Sequence, residues 1–347
     1  MSRRAQPKQL IPLSDGHSLL QLALARLEGL VPAPGLYICS SREHRQQILE
    51  ALDGFPEDQY IGEPIGRDTL AAIGVSAAVI RRKHPDAVMA VFTADHLIEP
   101  VHAFQQTVAR GYELVERHPE TLVTFGIEPD SASTGFGYLE LAQPWEGDAY
   151  SLKRFQEKPD RETAQRFFEA GPAQFLWNSG MFVWRVSTIL ECIRRYAQDT
   201  FARISRIAEA WGTPEREAVL NRMYAELQKI SIDYAVMEPA SHDPLVRLAA
   251  LPMRLRWLDV GSWPAFFKTL DADERGNAVS GARAVLLETS RTSIASSDPR
   301  HLIAAVGCEN LIIVHTDNAT LVCRADMAET VKRLHASIRE KFGDEYI

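Results

Sequence analysis

The chain has 347 residues, of which 46% are hydrophobic and 24% charged, a balance typical of globular proteins with enough apolar material for a core. Its length exceeds a minimal domain and suits one large α/β domain with a smaller one. The formal net charge of −8 excludes the overall basic field of a typical nucleic-acid-binding protein. Phosphate groups would therefore be held by local lysines, arginines, backbone amides or a divalent metal ion.

The cysteine pattern and the apolar runs bear on the compartment. Four cysteines are scattered without CxxC pairs or zinc-type clusters, namely Cys39, Cys192, Cys308 and Cys323. We expect them to be small buried residues in a reducing compartment. The sequence has no run of about 18 apolar residues, so no membrane span is expected. The basic N-terminal residues lack the apolar region of a signal peptide. A cytoplasmic protein is expected.

The first part of the chain predicts alternating strands and helices. Strands are predicted at 35–40, 87–96 and 121–127, and helices at 42–52 and 69–84. This order predicts a mainly parallel sheet covered by helices on both faces. Ligands bind at the carboxyl ends of the strands in such sheets, where Asp95 and His96 fall.

The second part changes character along its length. Residues 161–230 are predicted to be largely helical, interrupted by the apolar segment FLWNSGMFVWR (175–185). From about Gly276, short β-like segments separated by Asp, Asn, Ser and Gly predict a small β-rich domain, closed by a helix at 326–342. The predicted domains are residues 1–265 and 276–347.

The segment EPIGRDTLAAIG (63–74) comes immediately before a predicted helix. Asp68 or Thr69 would cap that helix, and its free amides would be able to bind an anion or the edge of a base. On this segment alone, an ordinary strand-to-helix turn is the simpler interpretation.

Two acidic residues follow apolar stretches far apart in the chain. Asp95 lies in TADH (93–96), and Asp259 lies in RWLDVGSW (256–263). Mg²⁺ is usually bound through one or two carboxylates together with substrate phosphates. The two residues would form a metal clamp if the fold brings them together, although Asp95 alone could equally cap the next turn.

Three further segments combine polar groups with strand ends. In TGFGYLE (134–140), the glycines permit either close approach to a ligand or an ordinary turn. In KRFQEKPD (153–160), Lys158 would neutralise a phosphate and Glu157 would accept sugar hydroxyls, unless the two form a solvated charge pair. In SIDYAVME (231–238), Asp233 is interpreted as a helix cap.

The segment LWNSGMFVW (176–184) places Asn178 and Ser179 inside an apolar run. Buried polar groups need hydrogen-bonding partners. Those partners are either other protein groups or a sugar hydroxyl.

Taken together and in this order, these segments closely resemble the mannose-1-phosphate guanylyltransferase, or GDP-mannose pyrophosphorylase, family. The resemblance runs from SRRAQPKQLIPL (2–13) to WLDVGSW (257–263) and continues more weakly through GNAVSG and VGCENLIIVHTDNATLV. It covers nearly the whole chain, and WNSGMF with SIDYAVME and DVGSW is its most specific part. It implies a Rossmann-like nucleotidyltransferase α/β domain followed by a small β-helix-like domain.

The resemblance also implies roles for individual residues. Asp95 and Asp259 would bind the catalytic Mg²⁺, Lys8 would approach the nucleotide triphosphate, and Lys158 would hold the sugar phosphate. Mannose would be bound by Glu157, Asn178 and the backbone near Gly137. The guanine would contact the stretch from Glu63 to Asp68, with Pro64, Gly66 and Arg67 between them. The implied substrates are GTP and mannose 1-phosphate, and the implied assembly is a homodimer without nucleic acid or membrane.

The implied reaction is an in-line displacement by an oxygen of mannose 1-phosphate at the α-phosphorus of GTP, with pyrophosphate leaving. The chain departs from the family at its start, because it begins at Ser2-Arg3 inside the motif LAGGxGTRLWPLSR. That loop supplies backbone amides to a triphosphate. A mis-set start or truncated sequence, a catalytically inactive sugar-nucleotide-binding homologue, and an enzyme with a rebuilt phosphate site remain open, as does a related enzyme for another sugar 1-phosphate or nucleotide.

Overall fold

The computed structural model describes residues 7–11, 13, 16–343 and 345–346. Residues 2–6 and 12 of the SRRAQPKQLIPL segment therefore lie outside the described residues. The chain divides into two compact units. The larger consists of Leu24–Thr93 and Ile98–Arg256, and the smaller of the described residues of Met1–Ala23 with Ala94–Leu97 and Trp257–Ile347. The predicted domain bounds of 1–265 and 276–347 stay a prediction.

The strands up to residue 253 are β1 (Ile38–Ser41), β2 (Tyr60–Glu63), β3 (Val88–Val91), β4 (His96–Glu99), β5 (Thr121–Ile127), β6 (Tyr138–Glu146), β7 (Ala149–Gln156), β8 (Phe175–Arg185) and β9 (Arg247–Met253). Six of them form the main sheet of the larger unit, in the order β3-β8-β5-β9-β7-β6. Strands β1 and β2 form a separate parallel pair. The predicted strand at 87–96 is two strands, because the polar residues of TADH interrupt it.

The α/β class is confirmed, but the strand directions differ from the mainly parallel arrangement that the sequence predicts. Strands β5 and β9 are parallel, whereas β8 is antiparallel to β3 and β5, and β7 is antiparallel to β6 and β9. Parallel neighbours need crossover connections, whereas antiparallel neighbours can be joined by short turns. The β6–β7 hairpin at Gly147 is such a turn, and it lies beyond the alternating region on which the prediction rested.

The helices are α1 (Leu19–Ala25), α2 (Arg45–Ala51), α3 (Asp68–Lys83), α4 (Val101–Arg117), α5 (Arg161–Ala170), α6 (Val186–Tyr196), α7 (Gln198–Ala210), α8 (Arg216–Ala225), α9 (Glu238–Ala240), α10 (Trp263–Phe267) and α11 (Val331–Phe342). Single 3₁₀ segments cover Lys8–Leu10, Ala33–Gly35, Arg42–His44, Glu57–Gln59 and Ala325–Thr330, and a π-helical turn covers Asp233–Met237. None of the described helices combines the length and apolar composition needed to cross a bilayer.

The core of the larger unit lies between the sheet and its helices. Helix α3 contributes a nearly continuous row of buried residues and packs against α6 and α7. A side chain at Gly74 would overlap Ile204 of α7, so glycine at this position allows the close approach of the two helices. Of the four free cysteines, Cys192 is buried and the others are partly exposed, so the expectation of burial holds for Cys192 alone.

The smaller unit contains a stack of short strands. They are β10 (Arg256–Asp259), β11 (Ala278–Ser280), β12 (Arg283–Leu287), β13 (Ser293–Ser296), β14 (Leu302–Val306), β15 (Leu311–Thr316) and β16 (Ala319–Arg324). Strands β11, β13 and β15 are parallel neighbours, as are β12 and β14, so β11, β12 and β13 each pair with the second strand along the chain. Strand β16 is antiparallel to β15, and β10 pairs with β4 instead. The parallel pairing is the stacking expected of a β-helix-like region. Its core includes Ile294, Ile312 and Val314.

Candidate functional site

Asp95 and Asp259 lie side by side in the smaller unit. Asp95 immediately precedes β4 and Asp259 ends β10, and these two strands pair with each other. The amide of Val260 also donates to the carbonyl oxygen of Asp95 at 2.9 Å. One ligand atom from each of Asp95, His96 and Asp259 lies within 4.8 Å of the others. The fold thus brings together the two acids that the sequence predicts as metal ligands, and their ligand role stays a prediction.

The hydrogen bond to His96 decides how its ring is protonated. Trp257 Nε1 lies 3.1 Å from His96 Nδ1, and an indole N–H can only donate. Nδ1 therefore carries no proton, and the neutral ring carries its proton on Nε2, 3.8 Å from Asp95 Oδ1. A protonated nitrogen has no lone pair for a metal ion. His96 consequently turns an N–H toward Asp95, too far away for a hydrogen bond, and the two carboxylates remain as the candidate ligands.

This donor set fits a hard divalent cation. Carboxylate oxygens are the ligands that Mg²⁺ prefers, whereas structural zinc sites rely on cysteine and histidine. A Cβ atom at residue 261 would lie 3.0 Å from Asp259 Oδ1, so Gly261 leaves room for that carboxylate and a ligand beside it. The residues present are therefore suited to a Mg²⁺ ion.

Lys8 provides a cation next to the same acids. Its Nζ atom lies 2.7 Å from Asp95 Oδ2. Burial by itself raises the pKa of the Asp95 carboxyl, but the Lys8 ammonium, together with the N–H that the neutral His96 ring turns toward it, outweighs burial and holds that pKa below its ordinary value. Asp95 is therefore ionised at neutral pH. The predicted approach of Lys8 to a nucleotide triphosphate stays a prediction.

A second group of predicted residues meets in the larger unit. Glu157 directly follows β7 and Asn178 lies in β8, and both side chains are buried. The backbone amide of Asn178 donates to the carbonyl oxygen of Gly137 at 2.8 Å. A side chain at Gly137 would overlap Glu157 Oε2. The structure therefore brings these three predicted sugar-binding residues together, and glycine at position 137 leaves space for the glutamate in its observed position.

Lys158 lies at the rim of this group. Its Nζ atom is 2.9 Å from Glu157 Oε1, and its side chain is half exposed. Burial by itself lowers the pKa of Lys158, but Glu157, Tyr234 and Asp233 outweigh burial and raise it, so the ammonium is charged. The backbone of Lys158 has φ +41° and precedes Pro159, a left-handed conformation that costs free energy for a non-glycine residue. Strain of this kind is found at functional sites.

Two members of this group were not predicted from the sequence. Asp233 Oδ1 accepts a hydrogen bond from Asn178 Nδ2 at 2.9 Å, and Thr124 Oγ1 donates to Asn178 Oδ1 at 2.9 Å. The π-helical turn at Asp233 has no side-chain cap, so the helix-cap interpretation is wrong. Burial, with the nearby charge of Glu157, raises the pKa of Asp233 to about 7. A signal for Thr124 was its hydroxyl within the apolar strand TLVTFGI.

The stretch from Glu63 to Asp68 is held against helix α8. Glu63 ends β2 and accepts a hydrogen bond from the hydroxyl of Tyr224. The guanidinium of Arg67 donates to the backbone carbonyls of Tyr224 and Ala225. Pro64 is half-buried and Gly66 is exposed. These contacts fix the ends of the stretch and leave its middle open to a ligand.

The start of α3 differs from the prediction. Asp68 has φ +66°, and its Oδ1 accepts from the amide of Thr69 at 2.8 Å. The amide of Leu70 donates to the carbonyl of Ile230 at 3.2 Å, and Thr69 Oγ1 accepts from the amide of Ile232 at 2.9 Å. The amides of Thr69 and Leu70 are therefore bonded within the chain, so the expectation that they are free for an anion is wrong. The same bonds join this stretch to residues 230–232, which lead into the π-helical turn.

Comparison with known families agrees with this arrangement. Residues 2–276 match the nucleotidyl transferase family, and residues 282–336 match the mannose-phosphate isomerase/GMP-like β-helix domain. The mannose-1-phosphate guanylyltransferase of Klebsiella pneumoniae is 34% identical over 354 residues, which cover 100% of this chain and 72% of that protein. The chain belongs to the mannose-1-phosphate guanylyltransferase family.

Other relatives give the same family and fold. The xanthan biosynthesis protein XanB of Xanthomonas campestris pv. campestris is 36% identical over 98% of this chain and 70% of its own length. The crystal structure of a protein described as mannose-1-phosphate geranyltransferase from Thermus thermophilus has a TM-score of 0.84 at 29% identity, covering 97% of this chain and 94% of that one. The predicted class, an α/β nucleotidyltransferase fold with a β-helix-like C-terminal region, is confirmed.

Proposed function

We propose that this chain transfers GMP from GTP to mannose 1-phosphate, which yields GDP-mannose and pyrophosphate. The observation that carries the proposal is the pairing of Asp95 with Asp259 through adjacent strands, in a chain of this family. The ionised Asp95 beside Lys8 gives this site both signs of charge. A nucleotide phosphate would be attracted by the positive charge, and its metal counter-ion by the negative charge.

The proposed reaction needs no general base to activate the nucleophile. The attacking oxygen of mannose 1-phosphate is already an anion, so it forms a bond to the α-phosphorus of GTP while the bond from that phosphorus to the bridging oxygen of pyrophosphate breaks. Mg²⁺, held by Asp95 and Asp259, would neutralise phosphate charge. The remaining contribution of the protein is to position the two substrates and to stabilise the charge that develops on the phosphates.

The sugar phosphate is assigned to the group around Asn178. Lys158 Nζ is half exposed and charged, which suits a phosphoryl group. Glu157 and Asn178 offer an acceptor and an amide to sugar hydroxyls, and Gly137 provides the space between them. The guanine is assigned to the open middle of the stretch from Glu63 to Asp68, where the carboxylates at the two ends of the stretch would accept from its N–H groups.

A pyrophosphate-release assay with GTP, mannose 1-phosphate and Mg²⁺ tests the proposal. It is run on this chain and on a version extended at its N-terminus by the family motif LAGGxGTR, with other nucleotides and sugar 1-phosphates as alternatives. Release that needs both named substrates and the metal supports the proposal. Binding of GDP-mannose without release in either version indicates the inactive homologue, and preference for another pair indicates a related enzyme.

Two further expectations remain predictions. A homodimer is expected from the family, and light scattering after size-exclusion chromatography measures it. A cytoplasmic location is proposed from the scattered cysteines, and cell fractionation measures it.

A further inference from the structure

The side-chain amide of Asn178 is held at both of its ends. Its Nδ2 donates to Asp233 Oδ1 at 2.9 Å, and its Oδ1 accepts from Thr124 Oγ1 at 2.9 Å. Thr124 is fully buried in β5, and Asn178 is nearly so in β8. The partners come from three separate elements of the larger unit, because Asp233 belongs to the π-helical turn. Asn178 is thus bonded on both sides, at one donor and at its acceptor oxygen, and these two hydrogen bonds form a clamp.

The clamp selects one of the two orientations of the amide. If the amide were rotated by half a turn, its oxygen would face the Asp233 carboxylate, and two acceptors without a hydrogen would repel each other. Thr124 alone would not forbid that orientation, because its Oγ1 also lies 3.2 Å from the carbonyl oxygen of Met181. Its hydroxyl would then donate to that carbonyl and accept from the rotated amide. The ionised form of Asp233 therefore determines which way the amide faces.

The amide nitrogen has two hydrogens, and Asp233 accepts one of them. Among the described residues, no acceptor receives the second. That hydrogen belongs to the group of residues that also contains Glu157 and Lys158. A ligand bound there would find a donor in the Asn178 N–H and an acceptor in the Glu157 carboxylate. A sugar hydroxyl offers both functions.

We propose that Thr124 and Asp233 are positioning residues that fix the Asn178 amide so that its second N–H donates to a hydroxyl of the hexose 1-phosphate. The inference rests on the proposed function and deepens it, since it assigns sugar recognition to two residues that need not touch the sugar. Recognition of a hydroxyl by a fixed polar group gives strong discrimination, because a ligand that lacks the hydroxyl leaves the group unpaired. The nucleotide is not involved.

The charges around Asp233 give the clamp a pH dependence. Glu157 faces it with a like charge and Lys158 with an opposite one, while Tyr234 and Glu238 follow it along its own segment. With the pKa of Asp233 at about 7, the carboxyl becomes protonated as the pH falls below 7. A protonated carboxyl can donate to the amide oxygen, so the rotated orientation becomes accessible. The affinity for the sugar phosphate should therefore decrease as the pH decreases below 7. This decrease should exceed the one that protonation of the phosphate itself causes.

The experiment compares two threonine-to-valine changes in the same strand. Thr124→Val removes the hydroxyl that bonds Asn178, whereas Thr121→Val removes a hydroxyl that is equally buried and has no partner among the described residues. Binding of mannose 1-phosphate and of GTP is measured separately by isothermal titration calorimetry. We expect about tenfold weaker binding of mannose 1-phosphate in Thr124→Val, the loss typical of one buried hydrogen bond, with GTP unchanged. Thr121→Val should bind both like the wild type, and Thr124→Ser should restore binding.

Asp233→Asn provides a second, independent test. The variant keeps the size of the side chain and accepts or donates in either orientation, so the amide is no longer fixed. Binding of mannose 1-phosphate should weaken at pH 8, and the ratio of wild-type to variant affinity should approach one at pH 6. The inference is overturned if Thr124→Val binds like Thr121→Val, or if the Asp233→Asn ratio does not change with pH. A wild-type chain that binds no sugar phosphate would instead overturn the proposed function.

Discussion

The amide of Val260 donates to the carbonyl of Asp95 at 2.9 Å, and this bond fixes the register of two chain segments that are far apart in the sequence. Because Asp259 directly precedes Val260, the same bond places its carboxylate beside that of Asp95. The acidic pair is therefore a consequence of backbone pairing between β4 and β10.

Replacement of either acid should abolish turnover while the fold is kept. In Asp95→Asn or Asp259→Asn, a neutral amide replaces a carboxylate ligand, and we expect kcat to fall by at least about 100-fold, the scale of several kcal/mol of lost charge stabilisation. Steady-state rates over a Mg²⁺ titration measure the effect. Asp271→Asn, at an exposed position of the same unit, is the control and should be near normal. Mg²⁺-dependent turnover at the wild-type rate in Asp95→Asn would contradict the assignment.

The tautomer of His96 can be observed directly. The indole N–H of Trp257 at 3.1 Å requires an unprotonated Nδ1, so nitrogen chemical shifts in the NMR spectrum should report the Nε2–H form. In Trp257→Phe the constraint is absent, and the shifts should move toward a mixture of the two neutral forms. A wild-type ring with its proton on Nδ1 would refute the derived tautomer.

Two neighbouring glycines should respond differently to the same substitution. In Gly137→Ala the new methyl group overlaps Glu157 Oε2, whereas in Gly135→Ala the nearest atom is Ser133 Oγ at 3.5 Å. We therefore expect Gly137→Ala to raise the KM for mannose 1-phosphate by about tenfold or more, corresponding to at least ~1.4 kcal/mol, and Gly135→Ala to leave it near the wild-type value. Steady-state kinetics at saturating GTP measures both. Equal effects of the two changes would count against the crowded sugar site.

The buried Asp233 should make stability fall as the pH rises. Its pKa is about 7 in the folded chain and about 3.9 in an unfolded one, so the folded state binds the proton more tightly. The stabilising contribution is fully present below the unfolded pKa and is lost as the pH rises to about 7. We expect the Tm of the wild type to drop more between pH 5 and pH 8 than that of Asp233→Asn, as measured by calorimetry. Parallel Tm profiles for the two proteins would show that Asp233 has an ordinary pKa.

Sequence patterns located the regular elements well where the signal is local. The apolar run TLVTFGI is β5 with the predicted bounds, and the predicted helix at 69–84 is α3, which begins and ends one residue earlier. Strand direction has no local signal, because the alternation of a strand is the same in parallel and antiparallel pairs. The mixed sheet was therefore beyond the reach of the pattern.

The partners of Asn178 show the same limit within the site. Asp233 lies 55 positions and Thr124 54 positions from it along the chain. A threonine in a strand and an acid at the start of a short helical turn each have an ordinary local explanation. Their common contact with Asn178 arises only when β5, β8 and the π-helical turn pack together. The sequence therefore predicted Asn178 as a site residue but not the two residues that orient its amide.

The bonds from Leu70 to Ile230 and from Ile232 to Thr69 have a dynamic consequence. Two such hydrogen bonds, next to each other, join the beginning of α3 to residues 230–232, which lead into the π-helical turn. We therefore expect these two segments to open as one cooperative element. Thermal opening of one should require opening of the other, and the amides of Leu70 and Ile232 should exchange with deuterium at similar rates. A ligand that reduces the fluctuations of either segment would then also reduce those of the other. The two proposed substrates would therefore favour each other's binding without any displacement of the backbone.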